Sequence, residues 1–333
     1  DGGAGPRRRP VRAAARVRAA TTDLQAMLDD FEHYFVAESL KNACVAISHQ
    51  TVTGVIFPVP YLDSILQKLR TGAYTEVSVI QFYYYCYSIL ADPQATAHYH
   101  ALRALLPKAE RFLPSAELRN ILLLTINYCI RRMNTGETNT FARETLGLYR
   151  LGLKNGALLE NGHLSPFTFK NAVTIALKIQ KILWADAFVR RYSPSLSPEY
   201  RAAYTAFCQA RIAYVRHRPD EAIALLQGIV FDDIFLELDA RVLMFKIWYE
   251  QEAFRLLQSF LVTFERFIVR KKLPSSYTGN YLNIVRTGSR LLKIARSQPD
   301  TEQIDAFVGT IHQTAPLTEK AWFLEMTEKL RTS

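Results

Sequence analysis

Apolar residues recur with helical spacing along almost the whole chain from Thr21 onward. The i, i+3, i+4, i+7 spacing of one helix face is met first by Leu24, Met27, Leu28, Phe31 and Phe35. A strand pattern is limited to two short β-branched stretches, residues 51–59 and 228–231, and prolines interrupt the first of them. The pattern therefore predicts an all-α protein of roughly thirteen or fourteen helices, with loops or extended connectors at those two stretches.

Proline and glycine mark where these helices should begin and end. Proline fits the first turn of a helix because the amide it lacks would have no partner there, and a neighbouring Ser or Asp can cap the other free amides. Glycine suits the residue after a helix because it adopts a left-handed backbone without strain. The predicted ends are Gly136 and Gly156, and the predicted starts are Ser165-Pro166, Ser197-Pro198, Pro219-Asp220, Pro299-Asp300 and Pro316.

A short amphipathic segment occurs twice. EAIALLQGI at 221–229 returns as EAFRLLQSF at 252–260, with Glu, Ala, Leu, Leu and Gln matched in place. A helix reused at about thirty residues is typical of stacked helical hairpins. The repeat predicts a right-handed α-α superhelix, that is, a solenoid of antiparallel hairpins, which forms one continuous domain over residues 21–333.

The small and aromatic residues around this repeat resemble a tetratricopeptide hairpin. Ala210 and Ala222 stand twelve residues apart, with Tyr214 between them and Leu225 and Leu226 after them. The leading Trp and closing Pro of that family are not in register, and segments that begin at 184, 221 and 252 are unequally spaced. The resemblance therefore implies degenerate, tetratricopeptide-like hairpins.

The chain also resembles a set of uncharacterised helical-repeat proteins from Bacteroidota. The resemblance rests on INYCIRRMNTGE (126–137), LSPFTFKNAVTIALKI (164–179), WADAFVRRY (184–192) and RKKLPSSYTGNYLNIVR (270–286), and it covers roughly residues 25–330. It implies a bacterial cytoplasmic protein with an α-helical repeat fold. It brings no catalytic residues.

Residues 1–20 differ from the rest of the chain. They combine Gly, Pro and Ala with six arginines and contain no aromatic residue. Such a segment cannot bury enough surface to order itself, so the composition predicts a disordered basic arm or an added extension. Clustered arginine attracts phosphate without requiring structure, and a nucleic-acid role for the arm stays open.

Known chemical signatures do not appear in the sequence. The four cysteines form no CxxC pair and sit among apolar neighbours, which predicts buried free thiols and favours a reducing cytoplasm. The histidines lack neighbouring ligands at metal spacing, so neither a metal nor a cofactor is predicted, and no segment is long and apolar enough to span a membrane. An enzyme with an unrecognised site would need a deep pocket that collects polar residues such as Glu160, His163 and Asn171.

Five aromatic residues lie within six positions at 82–87, so they must cover more than one face of a helix. Packing between helices is the simpler explanation. The alternative is an aromatic ledge that binds a peptide, formed by Tyr83, Tyr84 and Tyr87.

The charges are arranged in blocks within a formal net charge of +10. Residues 266–296 contain eight Lys and Arg residues and no acidic residue, while residues 219–265 are acidic and residues 165–218 are basic. In the basic block 266–296, Arg286, Arg290 and Lys293 follow the i, i+4, i+7 spacing and share one helix face. The counter-charge is either internal, from the acidic block, or external, from an acidic protein or a nucleic acid.

These features predict a non-enzymatic scaffold that binds an acidic or amphipathic segment of a protein partner in a basic groove. A nucleic-acid-binding repeat protein is the alternative, and an enzyme is the third class. The predicted groove residues are Lys178, Arg190, Arg191, Arg270, Lys271, Lys272, Arg286, Arg290 and Lys293.

Overall fold

The computed structural model describes residues 9–134, 136–271, 273–297 and 299–332, with side chains described for all of these except residues 9–22, 51, 52, 275, 276 and 332. This part of the chain forms fifteen α-helices, two short 3-10 helices and one two-stranded hairpin. The predicted all-α class is confirmed. Among the described residues, no helix combines the length and the apolar character that a bilayer-crossing segment needs.

The chain divides into two compact units, of which the first is Asp1–Ser165. Its elements are α1 Arg9–Thr53, α2 Leu62–Arg70, α3 Ser78–Ala91, α4 Thr96–Leu105, α5 Ser115–Asn134, α6 Thr138–Lys154, β1 Leu159–Glu160 and β2 His163–Leu164. Helix α1 packs against α2 and α3, α3 against α4 and α5, and α5 against α6. A 3-10 helix, Leu106–Arg111, follows α4, and the small antiparallel hairpin of β1 and β2 comes after α6; the sequence pattern did not predict this hairpin.

Helix α1 begins inside the segment that was predicted to be a disordered arm. Its first described residue is Arg9, and the backbone of residues 9–20 is helical and continuous with the rest of α1. Residues 1–8 lie outside the described residues. That residues 1–20 form a separate basic arm, and that residues 21–333 form one domain, both stay predictions.

The second compact unit is Pro166–Ser333 and consists of helices that pack in two alternating sets. The helices are α7 Pro166–Lys178, α8 Ile182–Tyr192, α9 Pro198–Val215, α10 Pro219–Gln227, α11 Ile234–Glu250, α12 Phe254–Arg270, α13 Ser275–Ala295, α14 Thr301–Gln313 and α15 Lys320–Thr332. Each odd-numbered helix packs against the next odd-numbered one, from α7 through α9, α11 and α13 to α15, and each even-numbered helix packs against the odd-numbered helices beside it.

Most of the predicted helix starts are confirmed. Helices α7, α9 and α10 begin at the prolines 166, 198 and 219, and Asp300 caps α14 by accepting a hydrogen bond from the Gln303 amide at 2.8 Å. The side chain of Ser197, in contrast, makes no capping hydrogen bond. The start predicted near Pro316 is displaced, because α15 begins at Lys320.

Three helix turns in the second unit have the same backbone geometry. Gln180, His217 and Glu252 each adopt a left-handed conformation, with φ of 58°, 57° and 55°. In each turn the next residue's amide donates to the carbonyl five residues back, at 2.8 to 3.0 Å. These bonds are typical of a helix that ends on one left-handed residue, a place where glycine is usual. The turns end α7, α9 and α11, and they lead into α8, α10 and α12.

The repeated EAxxLLQ sequence does not follow this backbone period. Glu221 lies inside α10, four residues after His217, whereas Glu252 is itself the left-handed residue before α12. The two copies are therefore displaced by about one helical turn relative to the hairpins. A four-residue displacement keeps the apolar positions on the same face, so Leu226 and Leu257 are both buried.

One large apolar cluster of the second unit is built mainly from α11, α12, α13 and α15; helices α7 to α10 bury further apolar residues, among them Phe169 and Phe207. Phe245 is at the centre of the cluster, and its ring packs on Trp322 and Phe323 of α15. Gly288 of α13 lies so close to Phe245 that an added Cβ would come within 2.8 Å of the ring. Small residues also allow close packing between α9 and α10, where Ala210 and Ala222 are fully buried.

Candidate functional site

The stripe predicted on α13 lies on one exposed helix face. Arg286, Arg290 and Lys293 all belong to α13 and all are exposed. The Arg286 side chain is 65% exposed and its Nε lies 3.9 Å from the Glu265 carboxylate, which is the outer limit of an ion pair. The Arg290 guanidinium lies 5.6 Å from the centre of the Phe307 ring. Within the described residues, neither Arg290 nor Lys293 forms an ion pair. Most of the positive charge of the stripe is therefore not neutralised by a neighbouring carboxylate.

A groove between α12 and α13 lies beside this stripe. It has a volume of about 540 Å³, and Leu261, Val262 and Leu292 contribute its apolar surface. Lys293 and Arg296 contribute its cations, and Gln258, Ser289 and Ser297 add uncharged polar groups. We call this feature the basic-rimmed groove. Val262 is 48% exposed, so apolar surface is open to solvent next to the cations.

Arg270 and Lys271, the predicted residues at the end of α12, do not line the basic-rimmed groove. Arg270 is exposed and shares a small recess with Arg241 and Arg266. The Lys271 ammonium lies 5.2 Å from the centre of the Phe267 ring. Lys272 lies outside the described residues.

The remaining predicted groove residues belong to α7 and α8. Lys178, Arg190 and Arg191 are exposed, Arg190 pairs with Asp186 at 3.2 Å, and the Arg191 guanidinium lies 5.4 Å from the Tyr192 ring. They are not on the hairpin that carries the α13 stripe. That both basic blocks line a single groove stays a prediction.

The acidic block (residues 219–265) neutralises the basic block 165–218 more than the basic block 266–296. Asp239 binds Lys170 at 2.6 Å and Glu221 pairs with Arg218 at 3.4 Å, and both of these cations belong to residues 165–218. Among the described residues, the acidic block forms one ion pair with the basic block 266–296, in which the Glu265 carboxylate lies 3.9 Å from Arg286. The acidic block therefore neutralises little of the positive charge of residues 266–296.

The structure buries one of the three tyrosines of the predicted aromatic ledge. Tyr83 is 1% exposed, and its hydroxyl donates to the Glu117 carboxylate, which also accepts from Lys41 at 2.9 Å. Burial opposes ionisation of Glu117, but these two hydrogen bonds outweigh it and hold the pKa of Glu117 below its usual value. Tyr83 is thus part of a buried polar contact. Tyr84 and Tyr87 are half-buried, and a binding role for them stays a prediction.

Sequence reasoning missed an acidic cleft in the second unit. It encloses about 720 Å³, and its lining includes Glu250, Glu252, Glu325 and Trp322. Oε1 of Glu250 accepts hydrogen bonds from the Tyr214 hydroxyl at 2.5 Å and from the Trp322 indole at 2.7 Å. Its lining residues come from five helices and three turns, so no local spacing could have identified it.

The cysteines are buried, whereas the polar residues proposed for an enzyme site are exposed or half-buried. All four cysteines are buried, and burial raises the pKa of Cys86, Cys129 and Cys208 to about 12 and that of Cys44 well above its usual value, so the prediction of buried free thiols is confirmed. Glu160 and His163 are exposed, Asn171 is half-buried, and Glu160 pairs with Arg119 at 3.0 Å. In the described part of the chain, no three His, Cys, Asp or Glu residues are grouped so that they could hold a metal ion.

The resemblance to tetratricopeptide hairpins and to helical-repeat proteins of Bacteroidota rests on the sequence motifs, and it stays a prediction. No protein-family model matches the chain, and comparisons with curated proteins and with solved structures give no match.

Proposed function

We propose that this chain is a non-enzymatic interaction protein whose basic-rimmed groove binds an acidic, amphipathic segment of another protein. The observation that carries the proposal is the combination of an apolar floor that opens to solvent at Val262 with exposed cations that form no ion pair in the described part of the chain. An amphipathic segment would bury its apolar side chains on that floor. Its carboxylates would lie at Lys293, Arg296 and the adjacent Arg290.

The energetics favour a ligand that uses both features. Exposed charge pairs alone contribute only about 0–1 kcal/mol each, so cations without an apolar surface bind weakly. Burial of apolar area contributes roughly 25 cal/mol per Å², and opposite charges add orientation and a faster approach. A segment that is acidic and also amphipathic is thus preferred over one that is acidic alone.

The proposal includes a repeat architecture of tetratricopeptide-like hairpins in a right-handed superhelix. The alternating packing of α7 to α15 supports it, as do the three equivalent turns at Gln180, His217 and Glu252. These turns lie 37 and 35 residues apart, close to the period of about 34 residues in such repeats. We place the protein in the bacterial cytoplasm, in keeping with the sequence resemblance.

The test is charge reversal on α13. Arg286→Glu, Arg290→Glu and Lys293→Glu, combined, should weaken binding of a fluorescent glutamate- and leucine-rich peptide by about tenfold or more, because three cations in or beside the groove are replaced by carboxylates that repel the peptide. Helical circular dichroism should not change, since all three side chains are exposed. Fluorescence anisotropy measures the affinity.

A matched triple reversal on α6 controls for net charge. Arg143, Arg150 and Lys154 are exposed and have no ion pair within the described residues, so their change to Glu alters the protein's charge equally. The control should retain most of the peptide affinity. Equal weakening in the two variants would mean that the peptide responds only to net charge, and the groove assignment would be abandoned.

The alternative is nucleic-acid binding by the same cations, which the unpaired α13 stripe also favours. Phosphate contacts release counterions, so affinity for RNA or DNA would fall steeply with salt. The same anisotropy assay with single-stranded RNA and duplex DNA at low salt separates the two functions. Tighter binding of nucleic acid than of the acidic peptide, lost in the α13 variant, would replace our proposal with this alternative.

A further inference from the structure

A small recess between α11 and α12 is lined by three arginines. Arg241 comes from α11, Arg266 and Arg270 come from α12, and Thr263 and Phe267 complete the lining of a space of about 300 Å³. Its lining contains no carboxylate. We call it the arginine recess.

Arg241 is held in place before any ligand arrives. Its Nε and one Nη donate to Oε1 of Glu237 at 3.2 and 2.7 Å, and its guanidinium lies 4.2 Å from the centre of the Phe267 ring. The other Nη has no hydrogen-bond partner among the described residues. A guanidinium that is fixed on one edge and stacked on a ring loses little freedom when its free edge binds an anion.

Arg266 and Arg270 supply the net positive charge of the recess, because Glu237 offsets Arg241. They are four residues apart on one face of α12, both are exposed, and in the described chain neither forms an ion pair or a hydrogen bond. Glu265, the neighbouring carboxylate in sequence, approaches Arg286 of α13 instead. The recess thus combines one oriented guanidinium with two exposed ones that have no polar partner among the described residues.

The arginine recess adjoins the basic-rimmed groove on the exposed side of α12. Val262 of the groove and Arg266 of the recess are four residues apart, which is about 6 Å along a helix and nearly the same direction around it. A segment that lies in the groove can therefore reach the recess with a neighbouring side chain.

We propose that the arginine recess binds the phosphoryl group of a phosphorylated serine or threonine in the bound segment. This inference rests on the proposed function and names the chemistry of its partner. A phosphoryl group carries close to two negative charges and three acceptor oxygens, so it can pair with several guanidinium groups at once, whereas a carboxylate has one charge and two oxygens. Three arginines around one small space match the phosphoryl group better.

The experiment uses the full chain and three fluorescent peptides that differ at one position. The peptides are acidic and amphipathic and carry serine, glutamate or phosphoserine at that position, scanned along the peptide. At the best position, phosphoserine should bind about tenfold more tightly than serine, with glutamate between them.

The variant Arg266→Gln with Arg270→Gln should remove this advantage, and the control Arg255→Gln, at an exposed position of the same helix, should keep it. The peptide with serine should bind the double variant almost as well as the unchanged protein. Thermal unfolding should be the same for all three proteins because the replaced side chains are exposed.

Two results would overturn the inference while leaving the proposed function intact. One is equal affinity for the serine and phosphoserine peptides at every position, and the other is a phosphoserine advantage that persists in the double variant. Tighter binding of single-stranded RNA that is lost in the same variant would assign the recess to a nucleic acid and would also overturn it. Failure of the proposed function is distinct, because the serine peptide then would not respond to reversal of the α13 stripe.

Discussion

Three polar residues occupy backbone positions that suit glycine. Gln180, His217 and Glu252 have positive φ at the ends of α7, α9 and α11. A left-handed conformation costs a residue with a Cβ roughly 1–2 kcal/mol, while glycine adopts it without that strain. Each of these residues is therefore locally strained by its positive φ, although the backbone hydrogen bonds that close the turn are formed.

Glycine at these three positions should stabilise the protein. Because glycine also makes the unfolded chain more flexible, the net gain in the free energy of unfolding should be roughly 0.5–1 kcal/mol for each substitution, Gln180→Gly, His217→Gly and Glu252→Gly. Urea denaturation of each variant measures this gain. Ala224→Gly, at an exposed position inside α10, is the control, and its free energy of unfolding should fall by about 1 kcal/mol. Destabilisation by the three turn variants would mean that their side chains contribute more than the strain costs.

The sequence predicts the helix starts at proline and aspartate better than it predicts the left-handed residues at the helix ends. Pro166, Pro198 and Pro219 mark helix starts because a fixed φ and a missing amide suit few other positions. The three left-handed residues carry no such signal. A polar residue is acceptable at almost any exposed helix end, and only the surrounding packing forces the chain to turn there.

Helix α1 shows that one periodic pattern can have two different environments. Its apolar residues 24, 27, 28 and 31 are exposed, with Phe31 at 69%, whereas Val36, Leu40 and Cys44 further along are fully buried. Periodicity predicts a helix in both halves, and it cannot say which face another helix covers. The same limit explains Tyr83, because the aromatic run did not reveal that Glu117 of α5 would cover it.

This difference should appear directly in stability measurements. Leu40→Ala should lower the free energy of unfolding by about 2–5 kcal/mol, since it removes a fully buried side chain from a packed site. Phe31→Ser should change it by no more than about 0.5 kcal/mol, because the ring is mostly in solvent. Chemical denaturation at neutral pH compares the two variants. A large loss with Phe31→Ser would show that this face of α1 is covered in solution, and a concentration-dependent unfolding midpoint would attribute the cover to a second copy of the chain.

For the whole molecule, block charges in the sequence predict where charge accumulates, but not which charges pair. Lys170 and Asp239 are distant in sequence and are brought together by α7 and α11, whereas the α13 stripe finds one loose partner among the described residues. The acidic cleft follows the same rule, because residues from five helices create a surface of the opposite sign to the predicted groove. Long-range contacts decide these outcomes, and a single sequence does not encode them in local spacing.

The second unit should fold and bind without the first. Its apolar cluster, the basic-rimmed groove and the arginine recess all lie within residues 166–333, so a fragment of these residues keeps every contact on which the proposed site depends. We expect the fragment to show helical circular dichroism, one cooperative thermal transition and the full chain's affinity for the acidic amphipathic peptide. Residues 1–165, prepared in the same way, should not bind that peptide. A fragment 166–333 that is unfolded alone would favour the single continuous domain predicted from the sequence, since hairpins in an array are stabilised by their neighbours. A folded fragment without affinity would instead mean that the first unit contributes to binding, and the α13 hairpin would then be one part of a larger surface.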